Sequence, residues 1–218
     1  MYVKIEYMPT VVRPFRGVSA EERLAQRRED LIEAAFDVAG AVGLRKLTMT
    51  AVCERADLTQ RYFYEHFRNR DELVNALYDT VFDEFFGRAR LAAEAQPEDD
   101  LLARARAAMA VFVEFCASDP RKARVFAEAS GSAAITAHRA DSTRRFTEYA
   151  TQQAIAARRP PTAREFTRVQ LAASIVIGGM SEACGHWLSG AIDLPRDEFI
   201  DELAQLFVVA VDAALNTH

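Results

Sequence analysis

Cysteine is scarce in this chain, and its three copies, Cys53, Cys116 and Cys184, stand far apart. An odd number without a C-x-x-C pair supports neither a disulfide framework nor a zinc site, so small buried thiols are expected. Histidine is equally thin, with four residues scattered at 66, 138, 186 and 218. There is no glycine-rich phosphate loop, no nucleophile elbow and no metal-ligand cluster, so an enzyme has little to stand on, and no metal or cofactor is expected. Long apolar runs are also missing. The longest candidate, LAASIVIGGM from Leu171 to Met180, falls well short of the roughly 20 residues of a membrane span. The opening stretch MYVKIEYMPTVVRPFRG has charges inside it and no continuous apolar core of the kind a secretory signal needs, so the expected location is the cytoplasm. Strand-like alternation, internal repeats and low-complexity tracts do not occur.

What is there is helical periodicity and an uneven charge. The net charge of −5 argues mildly against a nucleic-acid partner when taken globally. Residues 13–70, however, hold eleven Lys and Arg against nine Asp and Glu, a balance of +2 that leaves −7 for the rest. A mildly basic end on an acidic body fits local phosphate binding. At 218 residues the chain can form one large domain, or a small domain joined to a larger one, without staples.

Residues 1–17 mix Pro, Gly, Arg and Tyr without periodicity and are expected to form a flexible arm. Ser19 followed by Glu22 predicts a capping box. Leu24, Leu31, Ala35, Val38 and Val42 then make one apolar stripe, which Gly43 ends. Thr48 stands where an N-cap belongs for a second helix of barely two turns, MTAVCERA. Thr59 can cap a third, QRYFYEHF, and Asn69 a longer fourth whose Leu73, Leu77, Val81 and Phe85 are spaced by four. Short helices joined by a tight turn are the helix-turn-helix pattern. Beyond QPEDD the periodicity stays helical, with a break at Asp119-Pro120 and a stop at RRPP, so the whole chain reads as all-α.

On a helical wheel Phe63 and Phe67 share one face of the third helix, with Leu58 joining them against the core. Gln60, Arg61 and Tyr64 fall opposite, and Tyr62 and His66 leave polar tips at the edges. An exposed face of amide, guanidinium, phenol and imidazole can donate to base edges and phosphates. Arg70 lies in the first turn of the next helix, where free backbone amides favour an anion, and Thr48 offers a hydroxyl at a helix start. An aromatic-rich helix that is only core, in a helical interaction module shaped like a helix-turn-helix but without a DNA partner, is the rival reading.

The run DLIEAAFDVAGAVGLRKLTMTAVCERADLTQRYFYEHFRNRDELVNAL resembles the DNA-binding domain of the tetracycline-repressor-like (TetR) family of bacterial transcriptional regulators. The likeness rests on the helix ending in Gly43, Thr48 before the second helix, ERADLT at the turn, Tyr64 followed by EHF, and NRDEL opening the fourth helix. The resemblance implies an N-terminal helix-turn-helix DNA-binding domain at 18–73, followed by a larger helical ligand-binding and dimerisation domain at 74–218. It implies a homodimer that binds a double-stranded DNA operator and a small-molecule effector. Gln60, Arg61, Tyr62 and Tyr64 are then the groove-facing residues, and Thr48, Thr59, Tyr64, His66 and Arg70 the phosphate contacts. Two positions depart from the common pattern: Asp57 stands where glycine is frequent in the turn, and Arg70 where lysine is frequent. Arg13 and Arg16, on an arm like that of a subset of the family, are placed to reach a minor groove.

In the second domain, Ile200, Leu203, Phe207, Ala210, Val211 and Ala214 form one broad face of the last helix. The helix before it carries the small residues Ala173, Gly178, Gly179 and Ala183. Two such helices from each subunit would make a four-helix interface. Met109, Phe112, Phe115, Phe126, Phe146, Tyr149, Met180 and Trp187 are the large side chains available to line an effector cavity, with His186 as a polar anchor, and an apolar or aromatic ligand is expected.

Overall fold

The computed structural model describes residues 19–129, 132–156 and 161–216. The expected arm, with Arg13 and Arg16, lies outside the described residues. Helix α1 (Ala20–Val42) starts at a true capping box: the Glu22 amide donates to Ser19 Oγ at 3.0 Å, and Glu22 returns a carboxylate to the Ser19 amide. Its stripe is shorter than the spacing predicts. Leu31 and Ala35 are fully buried and Val38 is half-buried, whereas Leu24 and Val42 are exposed. Gly43 adopts φ 87° and closes the helix through its amide to Ala39.

A 3₁₀ turn at Leu44–Lys46 leads into α2 (Met49–Ala56), α3 (Gln60–His66) and α4 (Arg70–Glu94), capped in turn by Thr48, Thr59 and Asn69. Then follow α5 (Leu101–Ser118), α6 (Pro120–Glu128), α7 (Thr136–Ala156), α8 (Ala163–Leu188) and α9 (Arg196–Asn216). Asp119 caps α6, with Pro120 at its first position, where a missing N–H costs nothing. Among the described residues there is no strand, and no helix is long and apolar enough to cross a membrane. The all-α architecture is as expected from the periodicity.

Helix α4 belongs to both halves. Its start packs beside α1, and the rest lies along α5, α6 and α7, so position 73 falls inside one continuous helix. The second half is built on α5, α8 and α9 packed together, with α7 laid along α8.

The expected dimer face of α9 is corrected by this packing. Ile200, Leu203, Phe207, Val211 and Ala214 are buried inside the subunit, where α9 lies against α5 and α8. Apolar residues on α8 and α9 that face outward are others: Leu171 and Ile175, with Leu206 and Val209 at 59% and 63% exposure. A helical wheel identifies the more apolar face, and the subunit's own core takes that face first.

Candidate DNA interface and effector cavity

The reading unit is anchored by two rings. Phe63 and Phe67 are buried against each other with centroids 5.6 Å apart, which fixes α3 by its inner face. The turn before it bends at Asp57, in the left-handed conformation (φ 53°, ψ 41°), whose amide donates to the carbonyls of Cys53 and Glu54. For a side chain other than glycine this geometry costs on the order of 1 kcal/mol, and Asp bears it better than most. Thr48 accepts from the Ala51 amide at 3.2 Å, whereas the Thr59 hydroxyl makes no cap bond.

Fixing the inner face of α3 turns Gln60, Arg61 and Tyr64 outward. Tyr64 is 55% exposed, and the Arg61 side chain is 86% exposed with Glu65 at 3.6 Å. Gln60 Nε2 donates to Thr50 Oγ1 at 3.4 Å, tying α3 to α2 across the outer surface. Tyr62 is half-buried under the Arg27 guanidinium, 4.7 Å from its ring centre.

Two of the expected phosphate contacts are placed differently. Arg70 donates Nε to the Leu47 carbonyl at 2.8 Å and Nη2 to the Leu44 carbonyl, so it clamps the start of α4 onto the 3₁₀ turn. Arg68 is the freer guanidinium, with a side chain 90% exposed against 34% for Arg70. His66 lines a groove with Arg28, Asn75 and His138 between the reading unit and α7, and its Nε2 is buried without a partner. Burial, and then the Arg27 charge, push its imidazole pKa down. Sequence reasoning missed Arg45 and Lys46, exposed on the 3₁₀ turn just before α2; adjacent basic residues beside a helix start were the available signal.

The reading unit is gripped from behind by α6. Arg121 binds Glu33 at 2.7 Å and Asp37 at 2.6 Å on α1, while Asp37 also holds Arg55 of α2. Arg124 donates to the Gly40 carbonyl at 2.9 Å, and Glu128 accepts from the Leu44 amide at 2.8 Å. Two glycines permit this approach. A Cβ at Gly40 would lie 2.7 Å from Arg121 Cγ, and one at Gly43 would lie 2.9 Å from both Arg124 and Glu128.

The opposite side of α6 faces a cavity of about 250 Å³ enclosed by α4, α6, α7 and α8. Its aromatic wall joins Tyr78, Phe82 and Phe85 of α4 to Phe126 and Phe146; Tyr78 stacks on Phe126 at 6.1 Å and Phe85 meets Phe146 at 5.7 Å. Arg139 and Thr143 of α7, with Glu182 and His186 of α8, supply the polar lining. Of the residues expected around an effector, Phe126, Phe146, Met180 and His186 line this cavity. Met109 and Tyr149 line a neighbouring void of about 40 Å³ that shares the Phe146 wall. Phe112 and Phe115 are buried behind, each against Phe85. Trp187 is elsewhere: its indole N–H donates to the Leu194 carbonyl at 2.9 Å and its ring stacks on Phe199, closing the α8–α9 turn. The α4 aromatics were missed as cavity residues because their spacing reads equally well as core.

A helix-turn-helix unit carried on a helical body with an aromatic cavity defines the class: an all-α protein of two helical parts. Residues 31–77 match the family model for bacterial regulatory proteins of the tetR family. The HTH-type transcriptional regulator TtgR of Pseudomonas putida is 34% identical over 82 residues, 38% of this chain and 39% of that protein, so the match spans about two fifths of the curated relative. Across nearly the whole chain the fold is that of solved TetR-like structures. A TetR-like regulator from Rhodococcus sp. RHA1 covers 89% of this chain and 98% of its own at 20% identity, with a TM-score of 0.64. A putative TetR-family regulator from Syntrophomonas wolfei str. Goettingen covers 89% and 99% at 14% identity, with a TM-score of 0.69. The multidrug binding protein EbrR, solved with imidazole, covers 89% and 97% at 20% identity, with a TM-score of 0.64. The family match thus covers residues 31–77, and the rest of the chain is similar to the TetR-like structures in fold.

Proposed function

We propose that the protein is a homodimeric, sequence-specific DNA-binding transcriptional regulator of the cytoplasm, a repressor released from its operator by a small apolar or aromatic effector. The observation that carries this reading is the outer face of α3, where Gln60, Arg61 and Tyr64 face solvent on a helix locked from behind by Phe63 and Phe67. Gln60, Arg61 and Tyr62 are assigned to base edges. Thr48, Thr59 and Tyr64, joined by Arg45, Lys46 and Arg68, are assigned to phosphates.

The dimer is proposed through the outer faces of α8 and α9. Leu171 and Ile175 continue into the exposed Gly178 and Gly179, where an added Cβ would meet nothing within 4 Å. Exposed apolar residues beside bare glycines suit a second helix pair more than water. Helix α6 supplies the link between effector and DNA, since Phe126 and Ala127 line the cavity while Arg121, Arg124 and Glu128 hold α1 and the turn into α2. An effector that shifts α6 then favours a dimer whose reading helices are wrongly spaced for the operator. That EbrR is a multidrug binding protein supports a ligand-binding role for the shared fold.

The test is a salt-titrated binding assay against the DNA just upstream of the protein's own gene, with random DNA as competitor. Saturable binding that survives competitor and is lost in Arg61→Ala, with the variant still folded and dimeric, is the expected result. Binding no tighter than to random DNA across a genomic library would instead support a helical interaction module.

A further inference from the structure

Among the arginines of α7, Arg139 differs from its neighbours. Arg144 is held by Asp141 and Glu148 on its own helix, and Arg145 by Asp83 of α4. Arg139 lines the aromatic cavity and, among the described residues, makes no ion pair. Its charge reaches the aromatic wall. Burial raises the Tyr78 phenol pKa, and the hydrogen bond with Ser142 and the Arg139 charge oppose that rise. Thr143 lies one helical turn on, lines the same cavity and has no hydrogen-bond partner among the described residues. A guanidinium and a hydroxyl four residues apart on one wall form a donor pair that the protein itself leaves unused.

The other polar group of the cavity is already engaged. Glu182 points along α8 to His186, 3.5 Å away, with its side chain 80% exposed. It also stands on the stripe continuing from Leu171, Ile175 and Gly178, the face assigned above to the second copy. At about 250 Å³ the space is smaller than the roughly 300–1,000 Å³ of drug-sized pockets, which restricts the ligand to one or two rings.

We infer that the effector is an aromatic carboxylate of one or two rings, its arene among Phe82, Phe85, Phe126 and Phe146 and its carboxylate on Arg139 and Thr143. Planar guanidinium suits a carboxylate through two parallel N–H···O bonds. This inference rests on the reading of that cavity as the effector site.

The experiment uses the full chain and three probes of one shape: 2-naphthoate, 2-naphthamide and 2-naphthylmethylamine. Each is titrated calorimetrically into the unmodified protein, Arg139→Gln, Arg139→Lys and Glu182→Gln, with helical content as the fold control. The expected result is that naphthoate binds at least tenfold more tightly than the amide. Arg139→Gln abolishes that preference, Arg139→Lys restores part of it, and Glu182→Gln leaves it in place. Equal binding of acid and amide, or an unchanged preference in Arg139→Gln, overturns the anionic effector and leaves the cavity reading standing. Tightest binding of the amine, lost in Glu182→Gln, overturns it in favour of a cationic ligand. Failure of all three probes to bind overturns both the inference and the cavity reading beneath it.

Discussion

The two halves of the molecule use aromatic residues in opposite ways. In the reading unit, Phe63 and Phe67 are closed off completely, and their burial frees the other side of α3 for solvent-facing polar groups. In the body, Tyr78, Phe82, Phe126 and Phe146 surround space. The first arrangement needs one fixed shape, because a DNA backbone always presents the same phosphate geometry. The second leaves room, which the proposed effector would fill. The comparison breaks if both sets of rings are equally important to stability. Phe63→Ala is expected to cost about 3–5 kcal/mol by opening a cavity under a seven-residue helix, with DNA binding lost alongside. Phe126→Ala, on a wall that already faces a void, is expected to cost under about 2 kcal/mol. Denaturant melts of the two variants decide it.

Besides α4, the halves are joined by the contact of α6 with the end of α1, and Gly43 is where close approach and a positive φ coincide. Its backbone, at φ 87° and ψ 158°, lies in a region open almost only to glycine, and a Cβ there would press on Arg124 and Glu128. Gly43→Ala is therefore expected to lose about 1–3 kcal/mol. Strain and clash both fall on the α6 clamp, so effector response should weaken more than DNA affinity does. A variant with normal operator release and normal stability would mean that the two halves communicate by another route.

The same contrast explains what could be read from the sequence. The reading unit was legible almost residue by residue, because caps and turns are local. Ser19, Thr48 and Asn69 cap as their side-chain chemistry dictates, and Asp57 takes the left-handed turn. The hold of Arg70 on the carbonyls of Leu44 and Leu47 was not legible, because they lie more than twenty residues away. In the body the helices were legible but their partners were not. Periodicity marks Phe207 and Val211 as buried without saying whether α5 or a second subunit covers them. Trp187 and Phe85 exchanged roles for the same reason: a ring on an apolar face gives no sign of whether it meets another ring or a cavity.

Helix α7 provides a finer test, since it buries polar atoms without partners. Thr147 and Thr151 are 4% and 2% exposed, and neither hydroxyl has a hydrogen-bond partner. A buried unpaired hydroxyl costs roughly 1–3 kcal/mol. Thr151→Val keeps the shape and removes the polar atom, so it is expected to stabilise the protein by about 1 kcal/mol. A destabilised Val variant would mean that the hydroxyl is satisfied in solution.

The smallest expected effect is on pH dependence, and it separates the junction groove from the ionic clamp. The His66 imidazole is held below its usual pKa by burial and by Arg27. The unfolded chain then binds the proton more readily than the native one, so this contribution is intact above about pH 6.5 and is lost as pH falls through the lower native value. Asp37 and Asp119 are depressed by their hydrogen bonds with Arg121, so their contribution is present above about pH 4 and is lost only below it. Acidification should therefore act first on His66, at the end of α3, and only later on the clamp that holds α6. His66→Gln is expected to flatten the melting temperature just below about pH 6.5 while leaving the steeper fall below about pH 4 unchanged. An unaltered profile in that variant would mean that the imidazole finds a partner in the groove and titrates as an ordinary histidine.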